Sequence, residues 1–304
     1  MESALGHECI YLAAFDAGEL AGVLPLVRVK SLLFGHYLVS MPFLNYGGPL
    51  GTPAAVDALV EHARELARES SVKLLQLRNR APLAIDWPVA LSKVATVLDL
   101  PADEDVLWKS LPGKVRTDVR RPGKEGVSVS FGAGRLADFH QIFAHHMRDL
   151  GTPTHSRELF ASILEQFPDS ALVGCAYYEG RPVACGFGFI WDDEFEMTWA
   201  SALREHKRLR ANMGLYWEFM REAIRRDVRR FNFGRSTPNS GTHSFKLQWG
   251  SVDQPLHWYY RSRSGVQGSP SPQDEAYAWG PRIWRRLPVT VATALGPRVV
   301  RYIP

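Results

Sequence analysis

The sequence predicts an α/β (α+β) protein made of two successive units, each a mixed sheet flanked by helices. Apolar runs of strand length alternate with amphipathic stretches of helical spacing along the chain. The order hairpin, amphipathic helix, strand also occurs twice, with an offset of roughly 160 residues, which indicates a duplicated unit. At 304 residues and 45% hydrophobic composition, the chain has enough apolar material for more than one core.

The first half is predicted to be a hairpin, a helix and further strands. An Asp-x-Gly turn at 16–18 separates two apolar runs, which is a hairpin signal. Thr52 offers an N-cap and Pro53 takes the first helical position, so 53–69 is predicted to be an amphipathic helix. The predicted strands are 9–15, 21–30, 37–43, 73–78 and 93–100.

Residues 103–124 are predicted to form two short helices. The segment is acidic first and basic afterwards, which suits the helix dipole. Pro112 and Gly113 separate the two helices, and Pro122 with the following glycine ends the second. Its basic residues form a solvated helix face or contact an anionic substrate.

The second half repeats this organisation after two additional helices. The predicted helices are 135–148, 157–166 and one containing 216–224, and the predicted strands are 172–178, 182–190, 195–202 and 230–233. Nothing equivalent to the two additional helices precedes Cys9, so we expect the first domain to lack its N-terminal elements. The predicted domains are 1–125 and 126–264, followed by a linker and helical tail at 265–304.

The tail mixes aromatic, aliphatic and arginine residues. It is expected to dock on the body of the protein or to lie on an anionic membrane surface. The N-terminal residues carry no basic leader and no run approaches about 20 apolar residues. We therefore predict a cytoplasmic protein, with the inner face of the membrane as an additional location through the tail.

The composition limits the kinds of ligand that the protein is expected to bind. A net charge of +4 and a pI near 9.0 favour anionic partners, but the chain lacks the dense Lys/Arg stripes typical of a DNA-binding protein. Cys9, Cys175 and Cys185 fit no zinc or redox spacing, so we expect reduced cysteines and no metal site.

One segment, 231–250, combines a short apolar strand with a loop of small hydroxyl and turn residues. Such a loop leaves backbone N–H groups available for an anion. Four side chains around it are predicted to bind phosphate or carboxylate: Arg235, Ser236, His243 and Lys246. The alternative is a solvated surface turn between two core elements.

Four stretches of the sequence resemble a known family as a set. They are Pro42-Phe43-Leu44-Asn45-Tyr46-Gly47-Gly48, the run His146-Met147-Arg148-Asp149-Leu150-Gly151-Thr152-Pro153-Thr154-His155-Ser156, Phe233-Gly234-Arg235-Ser236-Thr237, and Phe245-Lys246-Leu247-Gln248-Trp249-Gly250. Together they resemble the FemAB-like proteins of exosortase/PEP-CTERM exopolysaccharide loci, within the wider FemAB and BioF2-like acyltransferase group. The resemblance covers the chain from about residue 9 to the tail and implies two tandem GNAT-like domains.

In its better-studied peptidoglycan members, the family implies transfer of an aminoacyl group from a charged tRNA to an amine. The acceptor is a nucleotide- or lipid-linked precursor of the cell wall. The resemblance places Arg235, Ser236 and Lys246 on the phosphate side of the site. The interruption by Pro122 and the expected absence of N-terminal elements are departures from the family pattern.

Acyl transfer to an amine needs a group that removes a proton, and Asp149, His155 and Glu196 are the candidates. Alternatively, Asp149 caps local backbone, His155 opens a helix and Glu196 forms an ion pair with a neighbouring strand. Cys175 and Cys185 lie in apolar strands, which disfavours a nucleophilic cysteine.

Two loops are candidates for contact with the substrates. The stretch 208–214 stands where acetyl-CoA-dependent relatives have a glycine-rich pyrophosphate loop, but only Gly214 remains, which argues against ordinary CoA binding. Asn45, Tyr46, Gly47 and Gly48 form the matching loop of the first domain, with acceptor contacts or a purely conformational role.

The sequence therefore predicts an N-acyltransferase or aminoacyltransferase acting on an envelope or exopolysaccharide precursor, with no bound cofactor. Its donor is aminoacyl-tRNA or acyl-CoA, and its acceptor is an anionic small molecule or a lipid-linked precursor. A CoA-dependent N-acetyltransferase and a non-catalytic precursor-binding protein are the alternatives.

Overall fold

The computed structural model describes residues 1–31, 35–262 and 279–303. The linker predicted at 265–273 lies outside these residues. The strands are β1 (Glu8–Asp16), β2 (Glu19–Ser31), β3 (Gly35–Val39), β4 (Leu50–Gly51), β5 (Leu74–Asn79), β6 (Val89–Ala90), β7 (Val94–Asp99), β8 (Ser128–Phe131), β9 (Ala171–Tyr178), β10 (Arg181–Trp191), β11 (Glu194–Ala202), β12 (Arg230–Ser236), β13 (Val252–Pro255) and β14 (His257–Ser262).

The helices alternate with these strands. They are α1 (Glu2–Leu5), α2 (Pro53–Glu69), α3 (Glu104–Ser110), α4 (Gly113–Lys124), α5 (Leu136–Leu150), α6 (Arg157–Gln166), α7 (Ala211–Arg225), α8 (Gly241–Leu247), α9 (Trp279–Trp284) and α10 (Val289–Val300). Two 3₁₀ helices, Ala133–Arg135 and Arg204–Leu209, precede α5 and α7.

The chain divides into two compact units. Unit 1 contains the described residues of Met1–Val94, Pro255–Trp279 and Arg298–Pro304, and unit 2 contains Ala95–Gln254 and Gly280–Pro297. Residues 95–125, assigned above to the first domain, therefore lie in unit 2. Residues 255–262, assigned to the second domain, lie in unit 1.

Unit 1 is a mixed sheet covered by α2. Its strand order is β1-β2-β3-β5-β14-β6, with β4 paired to β2, and β3 and β5 run parallel. The helix begins as predicted, because the Thr52 hydroxyl accepts the Ala55 N–H at 3.3 Å. Its apolar side, including Leu59 and Ala63, packs on the sheet residues Leu24, Leu26, Leu38, Leu75 and Leu77.

Unit 2 is a mixed sheet with helices on both faces. Its strand order is β13-β7-β12-β11-β10-β9-β8, and β11 and β12 run parallel. Alternate residues of β9 enter two cores, as expected for a strand. Leu172 and Ala176 pack with α7, whereas Val173 and Cys175 pack with Phe139 of α5 and Phe160 of α6.

The predicted fold class, α/β with two mixed sheets flanked by helices, is confirmed. Helices 53–69 and 157–166 have the predicted bounds. The end predicted for the second short helix at Pro122 was wrong, because Pro122 lies inside α4, which continues to Lys124. A proline this close to a helix end removes a single intrahelical hydrogen bond, and its buried ring packs against α7.

The C-terminal residues 280–297 pack on unit 2. Arg148 Nη1 donates to the carbonyl of Leu287 at 3.1 Å, and a Cβ placed on Gly151 would lie 2.6 Å from the Pro281 carbonyl oxygen. Of the two expectations for the tail, this segment shows the docked arrangement. Among the described residues, the helices are all too short or too polar to cross a bilayer.

Candidate active site

An opening in the sheet of unit 2 lies between β11 and β12. Their parallel ladder has three residue pairs, of which Glu196 and Asn232 form the last. Both strands continue beyond this pair, to Ala202 and Ser236. Crevices at the carboxyl ends of parallel strands are the usual ligand sites of open α/β sheets.

A β-bulge bends β11 beside this opening. On β10, Phe187 lies opposite Trp199 and the next residue, Gly188, lies opposite Met197, so Thr198 is an extra residue of β11. Gly188 is required here, because a Cβ would lie 2.2 Å from the carbonyl oxygen of Glu196. The bulge gives β11 a local bend where it leaves β12.

Lys246, on α8, reaches the free end of β12. Its Nζ donates to the carbonyls of Gly234 at 2.8 Å and Arg235 at 3.0 Å. The residue is only 4% exposed, and burial lowers the pKa of its amine to about 7. Glu196 partly opposes this shift, whereas Arg235 adds to it.

This arrangement matches both protonation states of the amine. Neutral Lys246 has two N–H groups, which the two carbonyls accept, and a lone pair that can take a proton. Protonated Lys246 has a third N–H to donate. A group with a pKa near 7 can accept and return a proton at neutral pH, as general acid–base catalysis requires.

Glu196 lies at the opening, in the last residue pair of the ladder. One carboxylate oxygen accepts the Thr198 hydroxyl at 3.3 Å, and the other accepts Asn232 Nδ2 at 3.5 Å. Its charge is close enough to influence the pKa of Lys246. The structure thus brings Glu196, Arg235 and Lys246 together.

Arg235 and Ser236 end β12 next to the lysine. The Arg235 side chain is exposed, whereas Ser236 is buried. Within the described residues, the Ser236 hydroxyl has no hydrogen-bond partner. The Ser236 hydroxyl therefore remains available for the anionic ligand predicted above.

His243 has a different role from the predicted one. Its Nδ1 accepts the Asn239 N–H at 3.0 Å, so its proton is on Nε2, which donates to Asp253 at 2.7 Å. Thr96 donates to the other oxygen of Asp253 at 3.3 Å. Because both ring nitrogens are engaged, His243 braces the loop between β12 and α8 instead of offering a donor to an anion.

Asp149 and His155 lie in separate environments. At the end of α5, the Asp149 carboxylate forms an ion pair with Arg148 Nε, 2.9 Å away. The His155 ring is buried among Phe143, Phe160 and Trp199, and burial lowers its pKa to about 4. His155 is a core side chain, and the structure does not bring it into the group around Lys246.

The predicted acceptor loop is a tight turn in unit 1. The N–H groups of Gly47 and Gly48 donate to the Arg78 carbonyl at 2.9 and 2.8 Å. A Cβ on Gly48 would lie 1.7 Å from Asn79 Oδ1, so packing explains this glycine. The Asn45 carbonyl accepts Trp258 Nε1 at 3.1 Å. Tyr46 lies 5.7 Å from the Arg80 guanidinium, measured to its ring centre.

The start of α7 borders a cavity of about 350 Å³ in unit 2. Its polar lining is Arg204, His206, Lys207 and Asn212. Gly214, the remaining glycine of the predicted pyrophosphate loop, is inside α7, where a Cβ would lie 3.2 Å from Pro122. No cluster of three or more potential metal ligands occurs in the part of the chain that the structure describes.

The sequence interpretation missed Asn232 and Thr198. An Asn-x-Gly pattern at the end of a strand, here Asn232 and Gly234, is a signal for a side-chain-closed turn and was available in the sequence. The bulge at Thr198 depends on pairing with β10 and had no comparable signal.

Residues 113–247 match the family model of the acetyltransferase (GNAT) domain. The matched residues include the opening, Asn232 and Lys246. No curated protein matches the chain.

Solved structures share the fold over most of the chain. The crystal structure of FemX has 13% sequence identity and a TM-score of 0.62, covering 86% of this chain and 90% of that one. The C-terminal domain of a putative lysylphosphatidylglycerol synthetase from Agrobacterium fabrum has 11% identity and a TM-score of 0.62, with 88% and 92% covered. A tandem GNAT protein from the clavulanic acid biosynthesis pathway has 13% identity and a TM-score of 0.52, with 86% and 85% covered. At these identities the likeness shows a GNAT-like fold.

Proposed function

We propose that this protein is an N-acyltransferase of FemAB type that transfers an aminoacyl group to an amine on an anionic envelope or exopolysaccharide precursor. The observation that carries the proposal is the buried Lys246 amine at the end of β12, beside the opening to β11. The GNAT family match and the FemAB-like motifs support the same reaction class.

In the proposed reaction the acyl carbonyl lies in the opening and the acceptor amine attacks it. The new bond joins the acceptor nitrogen to the carbonyl carbon, and the ester bond to the donor oxygen breaks. Neutral Lys246 takes the proton that the nitrogen loses, and the resulting ammonium returns it to the leaving oxygen. We assign proton transfer to Lys246 because Asp149 is ion-paired with Arg148 and His155 is enclosed by aromatic rings.

Arg235 and Ser236 are proposed to bind a phosphate group of donor or acceptor. The exposed guanidinium supplies charge, and the buried Ser236 hydroxyl supplies a hydrogen-bonding group that has no protein partner in the described residues. Glu196 is proposed to orient the acceptor amine, because its carboxylate lies at the last pair of the ladder.

A CoA-dependent N-acyltransferase is the second candidate, and the cavity at the start of α7 favours it. A helix N-terminus with Arg204 and Lys207 at its entrance suits a pyrophosphate. Against this candidate, only Gly214 remains of the expected glycine-rich loop at 208–214, and the side chains of Ala211 and Met213 are buried. A protein that binds a precursor without transfer is the alternative from a different class.

Paired transfer assays test these proposals. Purified protein receives a UDP-linked amino sugar as acceptor, with aminoacyl-tRNA or acetyl-CoA as donor, and the N-acylated product is measured by mass spectrometry. Product from aminoacyl-tRNA that is lost in Lys246→Met and kept in Lys30→Met, an exposed lysine of unit 1, supports the FemAB-type reaction. Product from acetyl-CoA alone supports the second candidate. Precursor binding by calorimetry without product from either donor contradicts both enzyme proposals.

A further inference from the structure

Asn232 occupies the point where the ladder between β11 and β12 ends. The residue is completely buried and lies opposite Glu196 in the last residue pair. Its position therefore determines where β12 turns away from β11. A polar side chain this deeply buried is expected to satisfy its hydrogen-bonding groups with specific partners.

The carboxamide of Asn232 uses both of its ends. Nδ2 donates to Glu194 at 2.9 Å and to Glu196 at 3.5 Å. Oδ1 accepts the N–H of Gly234 at 2.9 Å. Only a carboxamide combines donors for two carboxylates with an acceptor for a backbone N–H, because an aspartate lacks the donors and an apolar residue lacks both.

The bond to Gly234 closes a turn two residues further on. Gly234 has φ of 73°, in the left-handed region that glycine adopts without strain. Its carbonyl is one of the two that accept Lys246 Nζ. A continuous chain of hydrogen bonds therefore runs from the two carboxylates of β11 through Asn232 and Gly234 to the lysine amine.

We propose that Asn232 is a positioning residue, which fixes the Gly234 carbonyl and thereby holds the Lys246 amine at the opening. The inference rests on the proposed acyltransferase function for its catalytic consequence. Its structural part is independent of that function. Without the Asn232 brace, the turn at Gly234 loosens and the lysine loses the geometry that keeps it buried against two carbonyls.

The test compares Asn232→Ala and Asn232→Asp with Gln248→Ala. Gln248 is a matched control, because its carboxamide also lies near α8 but donates to the Phe245 carbonyl at 2.9 Å and not to β12. Three readouts are needed: hydrogen exchange of the Gly234 N–H, the pH titration of the Lys246 ¹³Cε resonance, and kcat and KM for transfer.

For Asn232→Ala we expect faster exchange of the Gly234 N–H and a Lys246 titration midpoint at higher pH, closer to that of an exposed lysine. We also expect kcat to fall on the order of 10- to 100-fold with little change in KM. Asn232→Asp keeps the acceptor for Gly234, so slow exchange should persist. With the turn at Gly234 still held, the Lys246 titration should stay close to that of wild type. Gln248→Ala should match wild type in all three readouts.

Two results would overturn the proposal. One is wild-type Gly234 exchange and Lys246 titration in a folded Asn232→Ala protein. The other is an equal change in Gln248→Ala, which would indicate general loosening of α8. If Asn232→Ala does not fold, fast exchange of the Gly234 N–H in Asn232→Asp, despite its retained acceptor, counts against the proposal. If wild type transfers no acyl group, the proposed function fails, while the first two readouts still decide the role of Asn232.

Discussion

In both units a parallel strand pair ends after three residue pairs, but different groups bind the backbone beyond the last pair. In unit 1, β3 and β5 also pair over three residues, ending at Val39 and Gln76. Beyond that point the Ser40 hydroxyl accepts the Arg78 N–H at 2.8 Å, and Gly47 and Gly48 donate to the Arg78 carbonyl. In unit 2 the free end of β12 instead presents its carbonyls to Lys246.

The cations at these two places differ in a chemically important way. The buried Arg78 guanidinium donates to Gln76 and to the Leu44 carbonyl, and it lies 4.5 Å from the centre of the Trp258 ring. Arginine stays protonated throughout the accessible pH range. Lys246 has a pKa of about 7 and can exchange a proton. The same strand arrangement thus accommodates a cation of fixed charge in unit 1 and a titrating amine in unit 2.

The largest expected effect is that of replacing Lys246, the titrating amine of unit 2. Lys246→Met should lower kcat for acyl transfer by about 10³-fold, because a general acid–base group is lost. Lys246→Arg should not restore it, since a guanidinium does not release a proton at neutral pH. Steady-state kinetics on folded variants measures both. Substantial activity in Lys246→Arg would show that charge, and not proton exchange, is what unit 2 supplies.

A substitution in unit 1 should affect stability and not chemistry. Gly48→Ala places a Cβ 1.7 Å from Asn79 Oδ1 and should lower the free energy of unfolding by about 3 kcal/mol. Gly113→Ala is the control, because no atom lies within 4 Å of its added Cβ. Chemical denaturation measures both. A stable Gly48→Ala protein that loses acceptor binding would instead favour the predicted contact of this loop with substrate.

The pH dependence of the reaction tests whether Lys246 of unit 2 titrates during catalysis, which Arg78 of unit 1 cannot do. In the proposed reaction neutral Lys246 is the active form, so kcat/KM should rise about tenfold per pH unit below pH 7 and level off above it. In the unfolded chain the lysine pKa is about 10.4, so the unfolded state binds more protons between about pH 7 and 10. Stability attributable to this group therefore rises with pH across that window. A flat rate profile from pH 5 to 8 would remove Lys246 as the base.

The smallest expected effect concerns a helix cap of unit 1. Thr52→Ala removes the hydroxyl that accepts the Ala55 N–H and should lower the free energy of unfolding by about 1 kcal/mol. The pH profile of transfer should stay at the wild-type position, because the cap has no part in the Lys246 site. Thermal unfolding and the rate profile are measured on the same preparation, and a displaced profile would contradict the separation of roles.

Much of the fold could be predicted from local patterns. The bounds of α2 followed from apolar spacing together with Thr52 as a cap, and those of α6 were also predicted correctly. The short elements α8, β13 and β14 were not predicted. β14 pairs with β5 and β6, far away in sequence, and its residues His257 to Ser262 carry no strong alternation that would predict this pairing.

The candidate site could be predicted only in part. The loop after β12 and the choice of Lys246 as a candidate followed from residue types and from the resemblance, whereas the roles given to His243 and His155 did not match their surroundings. His243 is held by Asp253, and His155 is packed among aromatic rings of α5, α6 and β11. Partners of this kind come from other elements, so a titratable residue in a loop sequence does not reveal whether it faces a ligand or the core.

Most of the long helices and strands could be predicted from the sequence, because caps, glycine turns and hydrophobic periodicity act within a few neighbouring residues. The tertiary structure alone decided which polar side chains are buried and with which partners. Burial of Lys246 against the carbonyls of Gly234 and Arg235 lowers its pKa, and this depends on strands and a helix that fold together. The lowered pKa of the amine arises mainly from desolvation, which is a property of the assembled core and not of the local sequence.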